Sequence, residues 1–129
     1  MKINHTHHIA INTRDFEASI KFYKEILKMQ FIDKVDLGED YVAYLKYAED
    51  SFIELFKMDG KLIEGELEGN LVGLKHIAFD VDNLMEWNAY LKDAGIKFIL
   101  DVTEVGPIRK RVLLIEAPDN VIVELCENY

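Results

Sequence analysis

The chain has 129 residues, half of them hydrophobic and 30% charged, with 24 acidic against 15 basic side chains for a formal charge of −9. That composition suits one soluble domain, or two small modules sharing a core, and excludes a disordered chain. The negative balance argues against nucleic acid or an anionic membrane as partner, while leaving room for a local basic pocket. A single cysteine, Cys126, excludes an intrachain disulfide framework. The opening MKINHTHHIA has no long apolar run and no small-residue cleavage site, and no later run approaches a bilayer span. A cytoplasmic protein without membrane segments is expected.

Ile3 to Asn12 reads as a strand, with His8, Ala10 and Asn12 on one face and His7, Ile9 and Ile11 on the other. The isoleucines should pack on a helix, which leaves His8 on the opposite face. Asn12 or Thr13 is the expected cap of a helix over Asp15 to Lys28, with Phe16, Ile20, Tyr23 and Leu27 as its buried stripe. Strands follow at Phe31 to Leu37, Tyr41 to Ala48 and Ser51 to Lys57. On the last of these Phe52, Glu54 and Phe56 share a face. A carboxylate held between two phenylalanines asks for a cation or several donors, because burying it unpaired costs several kcal/mol, roughly.

Residues 58–73 carry four glycines and an acidic run and read as a linker between modules 1–57 and 74–129, the whole forming one structural domain. GELEG within it lacks the spacing and strand–helix context of a phosphate loop. The second half opens with a strand, Leu74 to Val81, with His76, Ala78 and Asp80 on one face. Asp82 is the expected cap of a helix to Ala94, with Leu84, Trp87, Leu91 and Ala94 inward and Gly95 as the stop. Ile96 to Asp101 is a strand, Thr103 to Pro107 a loop placed over the site, and Arg109 to Ala117 and Val121 to Cys126 are the last two strands.

The halves echo each other. HHIAIN holds His8 where KHIAFDV holds His76, and SFIELF holds Glu54 where VIVELC holds Glu124. Histidine and glutamate stand 46 residues apart in the first half and 48 in the second. Ile9 and Ile77, Ala10 and Ala78, Phe16 and Leu84, and Tyr23 and Leu91 correspond at an offset of 68. Two histidines and two glutamates, all facing away from the helices, would converge if the two sheets curl face to face. Imidazole and carboxylate donors suit a divalent cation such as Zn, Ni, Co, Mn or Fe(II), with two octahedral positions left for water or substrate. Such a cation would resolve the desolvation of Glu54 and Glu124 and would make proton abstraction beside a polarised oxygen feasible, with a glutamate as base.

The opening HHIAI…FY, the central KHIAFDV and the closing APDNVIVELCE resemble the vicinal oxygen chelate superfamily, the glyoxalase, bleomycin-resistance and extradiol-dioxygenase group. The resemblance covers essentially the whole chain. It implies an α+β fold of two tandem βαβββ modules curled into an open mixed-sheet barrel around a metal site, often as a homodimer. It also implies metal ligation by His8, Glu54, His76 and Glu124, the positions that supply ligands in members with four of them.

Several chemistries share this fold. The full ligand set looks most like a glyoxalase I-type enzyme, which turns a glutathione hemithioacetal into a thioester, with Glu54 or Glu124 as the catalytic base. Against that pattern, Asn12 stands where the bacterial enzymes resemble H-x-x-x-R. A methylmalonyl-CoA epimerase-like enzyme is the alternative. An Fe(II) extradiol dioxygenase on His8, His76 and Glu124 would want a further histidine, and only His5 and His7 remain. A non-catalytic drug-binding relative generally lacks the metal set. The implied partner is a small molecule: a thioester, hemithioacetal or small acid. Asn12 and the basic run Arg109, Lys110 and Arg111 are the candidate substrate contacts, Arg109 and Arg111 first among the latter for an anionic group. Cys126 reads as a small buried hydrophobe on the face of Glu124.

Overall fold

The computed structural model describes residues 1–62 and 72–129, so most of the expected linker, including GELEG, lies outside the described residues. The chain divides into two compact units, Met1–Lys61 and Leu62–Tyr129. Each is a βαβββ module. No helix among the described residues is long and apolar enough to cross a membrane.

In the first unit, β1 (His8–Thr13) leads through a helix to β2 (Gln30–Asp36), β3 (Tyr41–Ala48) and β4 (Ser51–Lys57), in sheet order β1-β4-β3-β2. β1 and β4 run parallel, while β2–β3 and β3–β4 are antiparallel. The first strand starts later than the Ile3 expected from sequence. Only its lead-in touches the sheet, through the Phe52 amide donating to the His7 carbonyl at 2.9 Å and the Ser51 hydroxyl donating to the Thr6 carbonyl at 3.1 Å.

The helix also differs from expectation. α1 covers Phe16–Lys21 and continues as a π turn over Phe22–Ile26, closed by the Leu27 amide donating to the Phe22 carbonyl. Asp15, rather than Asn12 or Thr13, is the cap, its carboxylate accepting from the Ala18 amide at 3.1 Å. Thr13 points inward, where its hydroxyl bonds that of Ser19. The wider turn brings Phe22 into the core beside Phe16, Tyr23 and Leu27, while Ile20 is left half-buried. Ile11, Ala43, Leu45, Ile53 and Leu55 are buried in the sheet by alternation, and Val42, next to Ala43, is buried on the other face of β3.

The second unit repeats the plan. β5 (Ile77–Asp80), β6 (Phe98–Val105), β7 (Lys110–Glu116) and β8 (Ile122–Asn128) stand in order β5-β8-β7-β6, with β5 parallel to β8. Each sheet is open, with β1 and β2 as edges of one and β5 and β6 as edges of the other, so neither closes on itself into a barrel. β6 runs on through Val105, so Thr103 to Val105, expected as loop, belongs to a strand, and only Gly106–Ile108 forms a short 3-10 turn before β7.

α2 (Leu84–Asp93) is capped by Asn83, not Asp82: the Asn83 side chain accepts from the Glu86 amide at 3.3 Å, from a left-handed backbone at φ 54 that asparagine tolerates. Gly95, at φ 72, ends it as expected. Leu84 and Leu91 are fully buried and Trp87 half-buried, but Ala94 is exposed and Asn88 takes a place on the inner face.

Asn88 is buried because it serves Asp101. Its amide donates to the Asp101 carboxylate at 2.7 Å, with Lys92 Nζ at 2.6 Å and the Val102 amide at 2.7 Å on the same group. These bonds, that from Lys92 foremost, hold the Asp101 pKa at about 2, below the ordinary 3.8. A carboxyl whose folded pKa is depressed adds stability above its unfolded value, and loses it as pH falls through the folded one. The urea midpoint difference between the native chain and D101N should therefore be constant above about pH 5 and shrink between roughly pH 4 and pH 2. Equal midpoint differences at pH 2 and pH 6 would remove this network as a source of acid lability.

Candidate metal centre

The two parallel strand pairs set the chemistry of each unit. In the first, the register places Ala10 beside Glu54 on one side and Tyr44 beside it on the other. His8, Ala10 and Asn12 then share a face with Phe52, Glu54 and Phe56, away from the buried Ile53 and Leu55. His8 Nε2 lies 3.4 Å from Glu54 Oε2. The glutamate side chain is only 12% exposed, while the histidine stands 42% open. His7 supports it: the two Nδ1 atoms are 2.9 Å apart, and the His7 ring packs tilted on Phe52 at 5.6 Å. That contact occupies the Nδ1 of His8 and leaves its Nε2 turned to Glu54.

The second unit copies the arrangement. Glu124 pairs with Ala78 on one side and with Leu114 on the other. His76 sits immediately before β5 rather than within it, and its Nε2 lies 3.2 Å from Glu124 Oε2. The exposures are 26% for the histidine and 16% for the glutamate side chain. His76 Nδ1 is buried with no hydrogen-bond partner among the described residues. Around Glu124, Val112, Leu114, Ile122 and Cys126 form a buried apolar patch, with Ile99 and Val105 packed against it. Burial pushes the Cys126 thiol pKa up; Lys110 pulls it down, and Glu124 and Asp80 push it up.

Each pair is a mostly buried carboxylate facing one imidazole. One neutral donor cannot satisfy the lone pairs of an ionised carboxylate, so the donor set fits a divalent cation far better than it fits a closed hydrogen-bonded core. The structure brings His8 to Glu54 and His76 to Glu124. Among the described residues, no group of three or more histidine, cysteine and acidic side chains is gathered into one metal-holding cluster.

The candidate substrate contacts fall in unequal places. Asn12 is exposed on the face of His8. Arg109 is in a left-handed conformation at the end of the 3-10 turn; its Nε donates to the Tyr129 carbonyl at 3.0 Å and its guanidinium lies 5.6 Å from the Tyr129 ring. Arg111 pairs with Glu127 in the ladder, on the face opposite Glu124, and its Nε donates to Glu104 at 3.0 Å. Tyr44, beside Glu54, is a neighbour that the sequence reading did not place at the site, and of the basic run it is Lys110 that stands on the face of Glu124. Both follow from period-two counting once the strand register is known.

Two βαβββ units, each carrying a histidine at its first strand and a glutamate on its last, define a scaffold of duplicated halves. The chain belongs to the Glyoxalase/Bleomycin resistance protein/Dioxygenase superfamily, whose family model matches residues 5–125. It is 29% identical to lactoylglutathione lyase of Schizosaccharomyces pombe, over 96% of this chain but 46% of that protein, so it spans about half of that relative's length. It is 32% identical to human mitochondrial methylmalonyl-CoA epimerase, over 92% of this chain and 70% of that protein. The crystal structure of a glyoxalase family protein from Enterococcus faecalis superposes with a TM-score of 0.82 at 28% identity, covering 98% of this chain and 100% of that one.

In metal-free protein the Glu54 carboxylate, between Phe52 and Phe56, is a cost to folding. E54L should therefore raise the urea midpoint in the presence of a chelator. A lowered midpoint would show that the carboxylate is already well solvated there.

Proposed function

We propose that His8, Glu54, His76 and Glu124 together hold one divalent cation, of the Zn, Ni, Co or Mn kind, in a homodimer, and that the protein is a glyoxalase I-like lyase. The observation that carries this reading is the doubled pair: two mostly buried carboxylates, each beside one imidazole, at matching register positions of two repeated units. When bound, the cation stabilises negative charge developing on a substrate oxygen. The rest is work for the chain itself. One of the two glutamates takes the proton from the hydroxyl-bearing carbon of a hemithioacetal. It returns that proton to the neighbouring carbonyl carbon, while a second proton passes between the two oxygens, leaving a hydroxy thioester. The apolar patch around Glu124 keeps bulk water from the carbanion-like charge.

A second reading rests on Asn12. Asn12, and not an arginine, stands four residues after His8, with Arg14 two residues further on, and the human epimerase relative is 32% identical. An epimerase uses the same groups: proton removal from the carbon beside a thioester carbonyl, and return to the opposite face. Asn12 and Arg109 are proposed substrate contacts in either reading.

Elemental analysis of untagged protein should give close to one divalent metal per site, and a stoichiometry near zero after supplementation would sink the reading. E54Q or E124Q, whichever removes the base, should cost several decades in kcat, and the other should chiefly weaken metal affinity. Solvent deuterium exchange at the acidic carbon, with the glutathione hemithioacetal and with methylmalonyl-CoA in parallel, separates the two readings. Mixed dimers of H8A and H76A chains should recover about half the activity if one site draws its pairs from both chains, and none if each chain supplies its own.

A further inference from the structure

We infer that His7 is a positioning residue for the cation: a hydrogen-bond partner that reverses its role when His8 passes from Glu54 to the metal. The inference rests on the metal reading above and adds to it how the first pair is made ready for both states.

His7 is held by both its backbone and its ring. The Phe52 amide donates to its carbonyl at 2.9 Å, and the Ser51 hydroxyl donates to the carbonyl of Thr6 just before it at 3.1 Å. Its ring packs on Phe52 at 5.6 Å and meets the His8 ring edge-on, with centroids 5.2 Å apart. The ring is thus fixed although the residue is exposed. Its Nδ1 lies 2.9 Å from that of His8, a hydrogen bond that needs a proton on one ring and a lone pair on the other. Which ring supplies the proton is set by the other nitrogen of His8, the Nε2 that lies 3.4 Å from Glu54 Oε2.

Without the cation, a neutral His8 serves the Glu54 carboxylate best with its proton on Nε2. Its Nδ1 then carries a lone pair, and His7 donates to it. A divalent cation takes the lone pair of Nε2, so His8 must carry its proton on Nδ1 and His7 must accept. The proton between the rings passes from His7 to His8. His8 gives up its Nε2 proton to water, and the exposed His7 ring takes one from water on its own Nε2. Each ring ends with the one proton it began with, so neither changes its charge. Few side chains can follow this exchange: a carboxylate only accepts and a lysine or arginine only donates, whereas an imidazole nitrogen does either. The second unit shows no such partner. His76 faces Glu124 in the same way at 3.2 Å, but its Nδ1 is buried without a hydrogen bond among the described residues.

The test is nitrogen NMR of the imidazole rings in the isotope-labelled full chain, with and without Zn(II), at about pH 8, where imidazole is neutral. Zn(II) affinity is measured beside it by competition with a chelating dye. In metal-free protein His8 should carry its proton on Nε2 and His7 on Nδ1, and Zn(II) should exchange both assignments. H7F keeps an aromatic ring against Phe52 but neither donates nor accepts, and it should weaken Zn(II) binding about tenfold or more. H7N, whose amide can turn either its oxygen or its nitrogen to His8, should stay within about threefold of native. Binding by H7F within about twofold of native, H7N as weak as H7F, or a His7 ring that keeps one tautomer through loading would each overturn the inference and leave the metal reading standing. A native chain that takes up no Zn(II) would overturn both.

Discussion

A parallel strand pair cannot be closed by a tight turn; the chain must leave the sheet, cross over it and come back. Here the first strand of each unit lies parallel to the last, and the helix and two further strands fill the interval. The consequence reaches the chemistry directly. A histidine at the start of the first strand and a glutamate in the middle of the last become neighbours although nearly fifty residues separate them. Because both strands are flanked on one face by a helix, the polar pair is driven to the other. The carboxylates end up between apolar side chains for the same reason: the middle of a sheet is where alternation leaves least room for water.

The two pairs are alike in geometry and unlike in surroundings. Glu54 has Tyr44 across the ladder and His7 behind its histidine, whereas Glu124 has Leu114 and Cys126 and a histidine whose Nδ1 is buried without a partner among the described residues. Duplication therefore supplies two donor pairs of one type, and divergence of the neighbouring strand puts a tyrosine beside one glutamate and a leucine beside the other.

Period-two alternation made the strand faces readable without coordinates. His8 opposite Ile9, and Glu54 between Ile53 and Leu55, follow from counting alone. What could not be read were contacts between residues remote in sequence and choices among equivalent local groups. Thr13 and Asp15 are both good caps; only the buried Ser19 hydroxyl decides that Thr13 turns inward. Asn88 looks like a surface residue until Asp101 arrives from another strand. The basic run 109–111 was visible as a cluster, but which member faces Glu124 depends on a ladder whose parity the sequence does not print. The matching of His8 to His76 and of Glu54 to Glu124 was legible because it is written twice.

The π turn in the first helix has a meaning for how such a duplicated chain tolerates change. An extra residue in a strand would turn every later side chain to the opposite face and separate His8 from Glu54. In a helix the same residue is absorbed as one wider turn, at the cost of a less regular hydrogen-bond ladder, and the strands on either side keep their parity. The helices are thus the slack in each module and the strands its fixed gauge. Length can drift between copies in the crossover while the register of histidine against glutamate stays aligned.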